Sequence, residues 1–386
     1  MKWKNKGHEF DQVYENMKKL HKYYLFGAGQ YGHQIYEVLN GEINIAGFID
    51  NDSEKQGTYY CQKQVYSLDE IKKEMDQTTG IIVTVSPNTR RTIIEQLKAY
   101  GLEEGKDFFD MALFLTVYKA YEKNQAYISS ISFLPSTRCN LRCEACLNFT
   151  PYMKRFDERP WDQIKADIDM FFSCIDYIML FHISGGEPML YPHMARLIEY
   201  IDSHYRDQIY ILRTVTNGTI LPKTELLKAL SDHHVEVTVD DYREAVPQSE
   251  DTFKELLSLL EQYDIKYEVN KADEWIDLAP LTTDHSDWGE TRLQDKFNRC
   301  HVPWQELRDG KIYSCNYASY AMVAGLTEVD ETEYFDLSTY TPEKQKELIE
   351  FRLGYNEKGY MEFCKHCSGY VDINPNIVPP AKQLKR

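Results

Sequence analysis

The stretch Ser136-Thr-Arg-Cys139-Asn-Leu-Arg-Cys143-Glu-Ala-Cys146 decides the reading of this chain. Three cysteines in the spacing C-x3-C-x2-C fit a tight loop around one face of a metal cluster, and thiolates suit iron–sulfur clusters and zinc alike. Three ligands on a cubane keep one iron open to a small molecule. A zinc site completed from elsewhere, or three incidental buried thiols, are the alternatives that the spacing alone leaves open. The loop follows Ile128–Leu134, which reads as a strand.

Outward from the loop, Ser184-Gly185-Gly186-Glu187-Pro188 begins thirty-eight residues after Cys146, at the end of a second expected strand. Paired glycines allow close approach to the backbone, and a glutamate beside them can accept hydrogen bonds from an ammonium group. Thr216-Asn217-Gly218 ends a further strand, where barrel enzymes place binding groups. Apolar spacing near three and four predicts helices over Trp161–Cys174, His193–His204, Lys223–His233 and Ser249–Tyr263. Strands are expected at Tyr177–Ser184, Gln208–Thr216, Val235–Asp240 and Lys266–Asn270. The fold class is α/β, and this repeat, about residues 125–286, is long enough for a partial barrel.

On these motifs the chain resembles the radical SAM superfamily, over about 160 residues. The resemblance implies a partial (β/α)6 barrel in which Cys139, Cys143 and Cys146 hold a [4Fe–4S] cluster. It implies that the open iron is chelated by the amino and carboxylate groups of S-adenosylmethionine. Gly185, Gly186 and Glu187 would contact the methionine amino group, and Asn217 and Asp240 would face the ribose region. One electron, from a low-potential donor such as flavodoxin or ferredoxin, would cleave the sulfonium to methionine and a 5′-deoxyadenosyl radical. That radical removes a hydrogen atom from an unactivated carbon, which the protein must hold close by. Ala145 stands where many members carry an aromatic residue against the adenine, so that contact is expected from an aromatic elsewhere.

Residues from about 287 to 386 lose the repeat and hold four of the nine cysteines. Cys300, Gly310 and Cys315 stand in the spacing C-x9-G-x4-C, and Cys364 and Cys367 form a C-x2-C. Gly310 and Lys311 read as a turn between strands Trp304–Arg308 and Lys311–Cys315. Two cysteine pairs across a hairpin also describe a zinc ribbon. The pattern resembles the SPASM and twitch auxiliary-cluster domains in a shorter, one-cluster form, which implies a second, fully ligated [4Fe–4S] cluster. Cys174 reads as a buried structural thiol and Cys61 as incidental. The Pro-rich, then basic tail NPNIVPPAKQLKR is expected to be a partly ordered arm.

The first segment, residues 1–118, reads as alternating strands and helices, with strands at Lys22–Phe26, Ile43–Ile49 and Ile81–Val85. Gly27-x-Gly29-x-x-Gly32 lies between a strand and a helix, and Asp50 follows eighteen residues later, the context of a dinucleotide fingerprint. The segment is half of a doubly wound fold and suits a mononucleotide end. From Tyr23 to about Met111 it resembles the small Rossmann-like N-terminal domains of sugar acyltransferases, which implies binding of a nucleotide sugar. A module used only for docking is the alternative.

With 386 residues, two to three domains are expected at roughly 150 residues each. Hydrophobic residues at 42% and charged residues at 27% are globular usage and exclude a mainly disordered chain. A net charge of −17 makes nucleic acid and anionic lipid poor general partners. No 18-residue apolar run and no export signal are visible, and clustered cysteines favour metal ligation over disulfides, so a reduced, cytoplasmic compartment is expected. The leading expectation is an enzyme that abstracts hydrogen from a nucleotide-sugar or glycan precursor, with oxidation the favoured outcome and epimerisation the alternative one. A peptide-modifying enzyme and a non-catalytic cluster protein carrying electrons are the other two readings. An electron carrier has no need of the Gly185–Glu187 motif.

Overall fold

The computed structural model describes residues 1–300 and 304–385. They form two compact units, residues 7–125 and residues 126–386 together with 1–6. Met1–Lys6, expected in the first segment, therefore belong to the second unit, where the Trp3 indole donates to Glu350 at 2.8 Å.

The unit 7–125 is built on strands β1 (Lys22–Phe26), β2 (Ile45–Ile49), β3 (Tyr59–Tyr60), β4 (Lys63–Tyr66), β5 (Thr79–Val83) and β6 (Phe108–Asp110). Its helices are α1 (Asp11–Met17), α2 (Gln30–Leu39), α3 (Leu68–Glu74), α4 (Pro87–Ala99) and α5 (Met111–Lys123). The strand order is β3-β4-β2-β1-β5-β6, and every pairing except the β3–β4 hairpin is parallel. Strands such as KYYLF and TGIIV are apolar almost throughout because helices cover both faces of a parallel sheet. Ser67 and Glu70 close a reciprocal capping box that starts α3, and Asp110 caps α5 through the Ala112 N–H. From β1 the chain passes to β2 on one side and later returns to β5 on the other. The end of β1 is thus a topological switch point, where open α/β sheets bind ligands.

The larger unit contains β7 (Tyr127–Phe133), β8 (Tyr177–Ile183), β9 (Ile209–Thr216), β10 (Glu236–Asp240), β11 (Tyr267–Asn270), β12 (Trp275–Ile276), β13 (Glu306–Arg308), β14 (Lys311–Tyr313), β15 (Tyr334–Asp336) and β16 (Ile377–Val378). Its helices are α6 (Trp161–Cys174), α7 (Met194–Tyr205), α8 (Thr224–Asp232), α9 (Glu250–Gln262), α10 (Glu290–Cys300), α11 (Asn316–Val323) and α12 (Gln345–Arg352). The main sheet has the order β11-β10-β9-β8-β7-β13-β14-β15. Strands β7 to β11 are the expected parallel run, each return made by one helix from α6 to α9. Ile131, Phe133, Phe181, Ile183, Leu212 and Val237 are buried in one core with Ile168, Leu197, Leu227 and Leu256 of those helices.

A sixth parallel strand, β13, pairs with β7 through Glu306↔Ser132 and Leu307↔Phe133. It comes from the cysteine-rich segment. The expected hairpin is present as β13–β14, but it extends the main sheet, because Leu307 and Ile312 enter the same core.

The tail, expected to be a partly ordered arm, is instead fixed over its described length. β16 pairs antiparallel with β12 through Trp275↔Val378, and Gln383 bridges to Cys143. Ala381 is fully buried against Leu141 and Cys143, which supplies apolar burial that the basic composition of the segment conceals. No helix among the described residues is long and apolar enough to cross a membrane.

Candidate cofactor site

Cys139, Cys143 and Cys146 lie on the loop that leaves β7 and share one small cluster with Leu141, Val246 and Ala381. Burial pushes the Cys139 thiol up to about 12 and the Cys143 thiol up to about 11, and raises Cys146 as well. Hydrogen-bond donors oppose that trend. The Leu141 N–H reaches the Cys139 sulfur at 3.4 Å, and the Gln383 amide reaches Cys143 at 3.2 Å. Backbone N–H groups of Asn148, Phe149 and Thr150 address Cys146. Donors aimed at sulfur favour the thiolate, the form that ligates metal, so the donor set fits an iron–sulfur cluster.

Gly185 and Gly186 follow β8 and cross directly over this loop. A Cβ on Gly186 would lie 2.3 Å from the carbonyl oxygens of Thr137 and Arg138, and one on Gly185 would lie 2.7 Å from the Ser136 carbonyl. The Gly186 and Glu187 N–H groups donate to Ser136 and Arg138 at 3.0 and 2.7 Å. The glycine pair thus serves first to let two backbone segments touch.

Glu187 is 1% exposed, and its carboxylate is engaged by its own chain. One oxygen accepts the Met189 N–H at 3.0 Å and the other the Asn217 N–H at 2.7 Å, and the Thr216 hydroxyl donates as well. Burial pushes the carboxyl up to about 7. Asn217, after β9, sends its amide to Asn140 at 2.9 Å and to the Cys139 sulfur at 3.9 Å. Asp240, at the end of β10, accepts from the Tyr242 hydroxyl at 2.8 Å and the Asn270 amide at 2.7 Å. The structure therefore gathers the cysteine loop, Gly185–Glu187, Asn217 and Asp240 at the C-terminal end of β7 to β10.

Tyr242 and Trp275 pack against the cysteine loop with their rings edge to face at 5.3 Å. They supply aromatic surface beside Cys139, Cys143 and Cys146. Across the sheet, Ser132, His182, Arg213 and Glu236 stand side by side in register on β7 to β10. Arg213 pairs with Glu236 at 2.6 Å, Ser132 shares a hydrogen bond with Tyr320 at 2.9 Å, and Trp304 lies against the His182 ring at 5.1 Å. Individually these four residues carry no motif, so only the strand register reveals the polar row.

Cys300, Cys315, Cys364 and Cys367 line one apolar cavity together with Phe297 and Met361. Among the described residues no three His, Cys, Asp or Glu side chains are grouped closely enough to hold a single metal ion. Cys315 occupies the N-cap position of α11, where the helix dipole favours a thiolate. The Tyr370 N–H reaches Cys300 at 3.3 Å and the Gly369 N–H reaches Cys367 at 3.2 Å. Burial pushes Cys367 up to about 12 and raises the other three thiols. The Lys296 ammonium donates to the Cys364 carbonyl at 2.7 Å and to the Cys367 carbonyl, placing positive charge at the wall. This donor set also fits a cluster. Cys174 is buried in the main core, as expected.

In the smaller unit, a Cβ on Gly27 would lie 2.7 Å from the Thr84 carbonyl, and one on Gly32 would lie 2.0 Å from the Gly27 carbonyl. Both glycines are required by packing. Gly29 faces open space. Asp50 accepts from the Ala28 N–H at 2.9 Å and from Lys55 at 3.1 Å, so it holds the loop and brings a cation beside it.

Residues 133–269 match the family model of the radical SAM superfamily. The chain carries a radical SAM domain. Such a domain implies a [4Fe–4S] cluster and S-adenosylmethionine as cofactors. Residues 19–107 match the model described as C2185-like, N-terminal. No curated protein matches the chain. Among solved structures, native anSMEcpe with bound AdoMet is 14% identical over 56% of this chain and 80% of that one, with a TM-score of 0.39. In its complex with AdoMet and the Cp18Cys peptide the match spans 42% of that chain. BtrN in complex with AdoMet and 2-DOIA is 16% identical over 65% and 98%, with a TM-score of 0.36. Streptococcus suis SuiB bound to S-adenosylmethionine is 16% identical over 49% and 47%, with a TM-score of 0.28. The radical SAM domain begins at the end of β7 and ends within β11, so it spans every loop described above from Cys139 to Asp240.

Proposed function

We propose that this protein is a radical SAM oxidoreductase with one auxiliary [4Fe–4S] cluster, acting on a nucleotide-activated sugar or glycan precursor. Cys139, Cys143 and Cys146 hold the first cluster. Gly185, Gly186 and Glu187 shape the seat of the methionine amino group through their backbone, with the Glu187 side chain bracing that seat from behind. Asn217 and Asp240 border the ribose, and Tyr242 and Trp275 offer the aromatic wall for adenine. When bound, the cofactors supply a 5′-deoxyadenosyl radical that removes a hydrogen atom from the substrate.

Cys300, Cys315, Cys364 and Cys367 hold the second cluster. Four thiolates would leave such a cluster no open position, so what it would supply is a one-electron acceptor for the substrate radical, which with the hydrogen atom already removed and a proton released to solvent would complete a two-electron oxidation. A low-potential protein such as flavodoxin or ferredoxin is the electron source for the first cluster. The polar row Ser132–His182–Arg213–Glu236, with Trp304 beside it, offers hydrogen-bonding groups and an aromatic face, the chemistry that binds a hydroxyl-rich ring. Within the smaller unit taken by itself, Gly29, Asp50 and Lys55 are proposed to form a site for the phosphate and ribose of a nucleotide.

The observation that carries the reading is the four-thiol cavity in the same unit as the radical SAM domain. Anaerobic reconstitution followed by metal analysis tests it. Two cubanes give about eight irons per chain, and changing Cys139, Cys143 and Cys146 to Ala leaves about four. Stoichiometric zinc in anaerobically purified protein would instead assign the cavity to a structural Zn site.

A further inference from the structure

The segment 381–384 makes a contact that the motifs do not contain. The Glu144 N–H donates to the Lys382 carbonyl at 2.7 Å, and the Leu384 N–H donates to the Arg142 carbonyl at 2.8 Å. The Lys382 ammonium pairs with Glu144 at 2.6 Å. Between these points the Gln383 side chain is used at both ends. Its Oε1 accepts the Arg142 N–H at 2.9 Å, and its Nε2 donates to the Cys143 sulfur at 3.2 Å and to the Ala381 carbonyl at 2.6 Å. Ala381 adopts φ +50° and is fully buried beneath the loop. A strand-like clasp more than two hundred residues distant in sequence therefore closes on the cysteine loop, with one amide aimed at a proposed ligand sulfur.

From this geometry we infer that Gln383 is a positioning residue that tunes the radical SAM cluster: its amide N–H stabilises the reduced state through the Cys143 sulfur while its carbonyl fixes the loop. A hydrogen bond to a ligand sulfur withdraws electron density, so it stabilises the more negative, reduced cluster and raises its potential. Backbone pairing on both sides of Cys143 also shields that sulfur from solvent and oxidants. The inference rests on the assignment of Cys143 as a cluster ligand.

Two variants separate the roles. Gln383→Glu retains an oxygen to accept the Arg142 N–H, but an ionised carboxylate cannot donate to sulfur. Gln383→Leu loses both contacts. The readout is an EPR redox titration of the reconstituted full chain, following the signal that changes on adding S-adenosylmethionine. That signal belongs to the cluster with the open iron. Both variants should be harder to reduce. A tenfold lower ratio of reduced to oxidised cluster at fixed potential corresponds to about 59 mV for one electron. Iron content should be retained in Gln383→Glu, while Gln383→Leu should also lose iron faster in air. Wild-type potentials in both variants would overturn the inference while leaving the cluster assignment intact. If the wild-type protein shows no signal responsive to S-adenosylmethionine, the assignment beneath it fails as well.

Discussion

The carboxylate of Glu187 accepts the backbone N–H of Asn217 at 2.7 Å, deep beneath the cysteine loop. It joins the loop after β8 to the loop after β9, and its second oxygen holds the Met189 N–H of its own turn. A buried carboxylate that satisfies donors from two loops is a brace, and removing it leaves those donors without partners. Each unsatisfied buried group costs about 1–3 kcal/mol.

Glu187→Ala should therefore destabilise the protein before any cofactor is bound. Urea unfolding of apo protein is expected to show a loss of about 2–4 kcal/mol, from the unpaired donors and the cavity together. Glu187→Gln, which keeps the shape and one carbonyl acceptor, should lose less. Equal stability of apo wild type and Glu187→Ala would remove the bracing role.

Gly186→Ala tests whether the glycine pair exists for backbone contact. The added methyl would stand 2.3 Å from two carbonyl oxygens, so the cysteine loop must move. Overpacking of this kind costs about 1–3 kcal/mol. Iron retained after anaerobic reconstitution should fall with it. An alanine variant with wild-type stability and iron content would show that the two segments have slack.

The sequence made the parallel run legible, because Trp161–Cys174 and the strands around it carry clean periodicity and strong turn signals. It showed both cysteine sets, since thiolate chemistry depends on spacing that a reader can count. It hid β13 as a member of the main sheet, because a three-residue strand has too little pattern to reveal its partner. The clasp at Gln383 was illegible for the same reason: a single amide near a basic tail has no local signature, and its partner lies far away in the chain. The work of Gly185 and Gly186 was half visible. Their permissiveness was plain, but that it admits the chain itself could be seen only once the two loops were placed together.

His182 supplies a pH-dependent term with a definite sign. Burial, together with Arg213, holds its imidazole down at about 4. The unfolded chain protonates near 6.5, so between those values the unfolded state binds more protons. The stabilising contribution is complete above pH 6.5 and is lost as pH falls toward 4. Urea unfolding of apo His182→Gln at pH 7 and pH 5 should show a smaller acid loss than wild type. Parallel losses in both proteins would mean that the ring is already charged or solvated in the fold.

Gly29→Val probes the smaller unit without breaking it, since a Cβ there meets nothing within 4 Å. Calorimetric titration with uridine, cytidine and guanosine diphosphate sugars should find one class that binds wild type. The variant should bind that class more weakly by about 1–3 kcal/mol, the scale of charge-assisted hydrogen bonds. Gly32→Val should fail to fold, given the Gly27 carbonyl 2.0 Å from its Cβ position. If no nucleotide sugar binds wild type, the module serves docking.

The most direct test of the whole account is the formation of 5′-deoxyadenosine. Anaerobically reconstituted protein should release it from S-adenosylmethionine on reduction with dithionite. The variant with Cys139, Cys143 and Cys146 changed to Ala should release none while keeping its auxiliary iron. Wild-type yield from that triple variant, or no product from fully iron-loaded wild type, would contradict the assignment of radical chemistry to this loop.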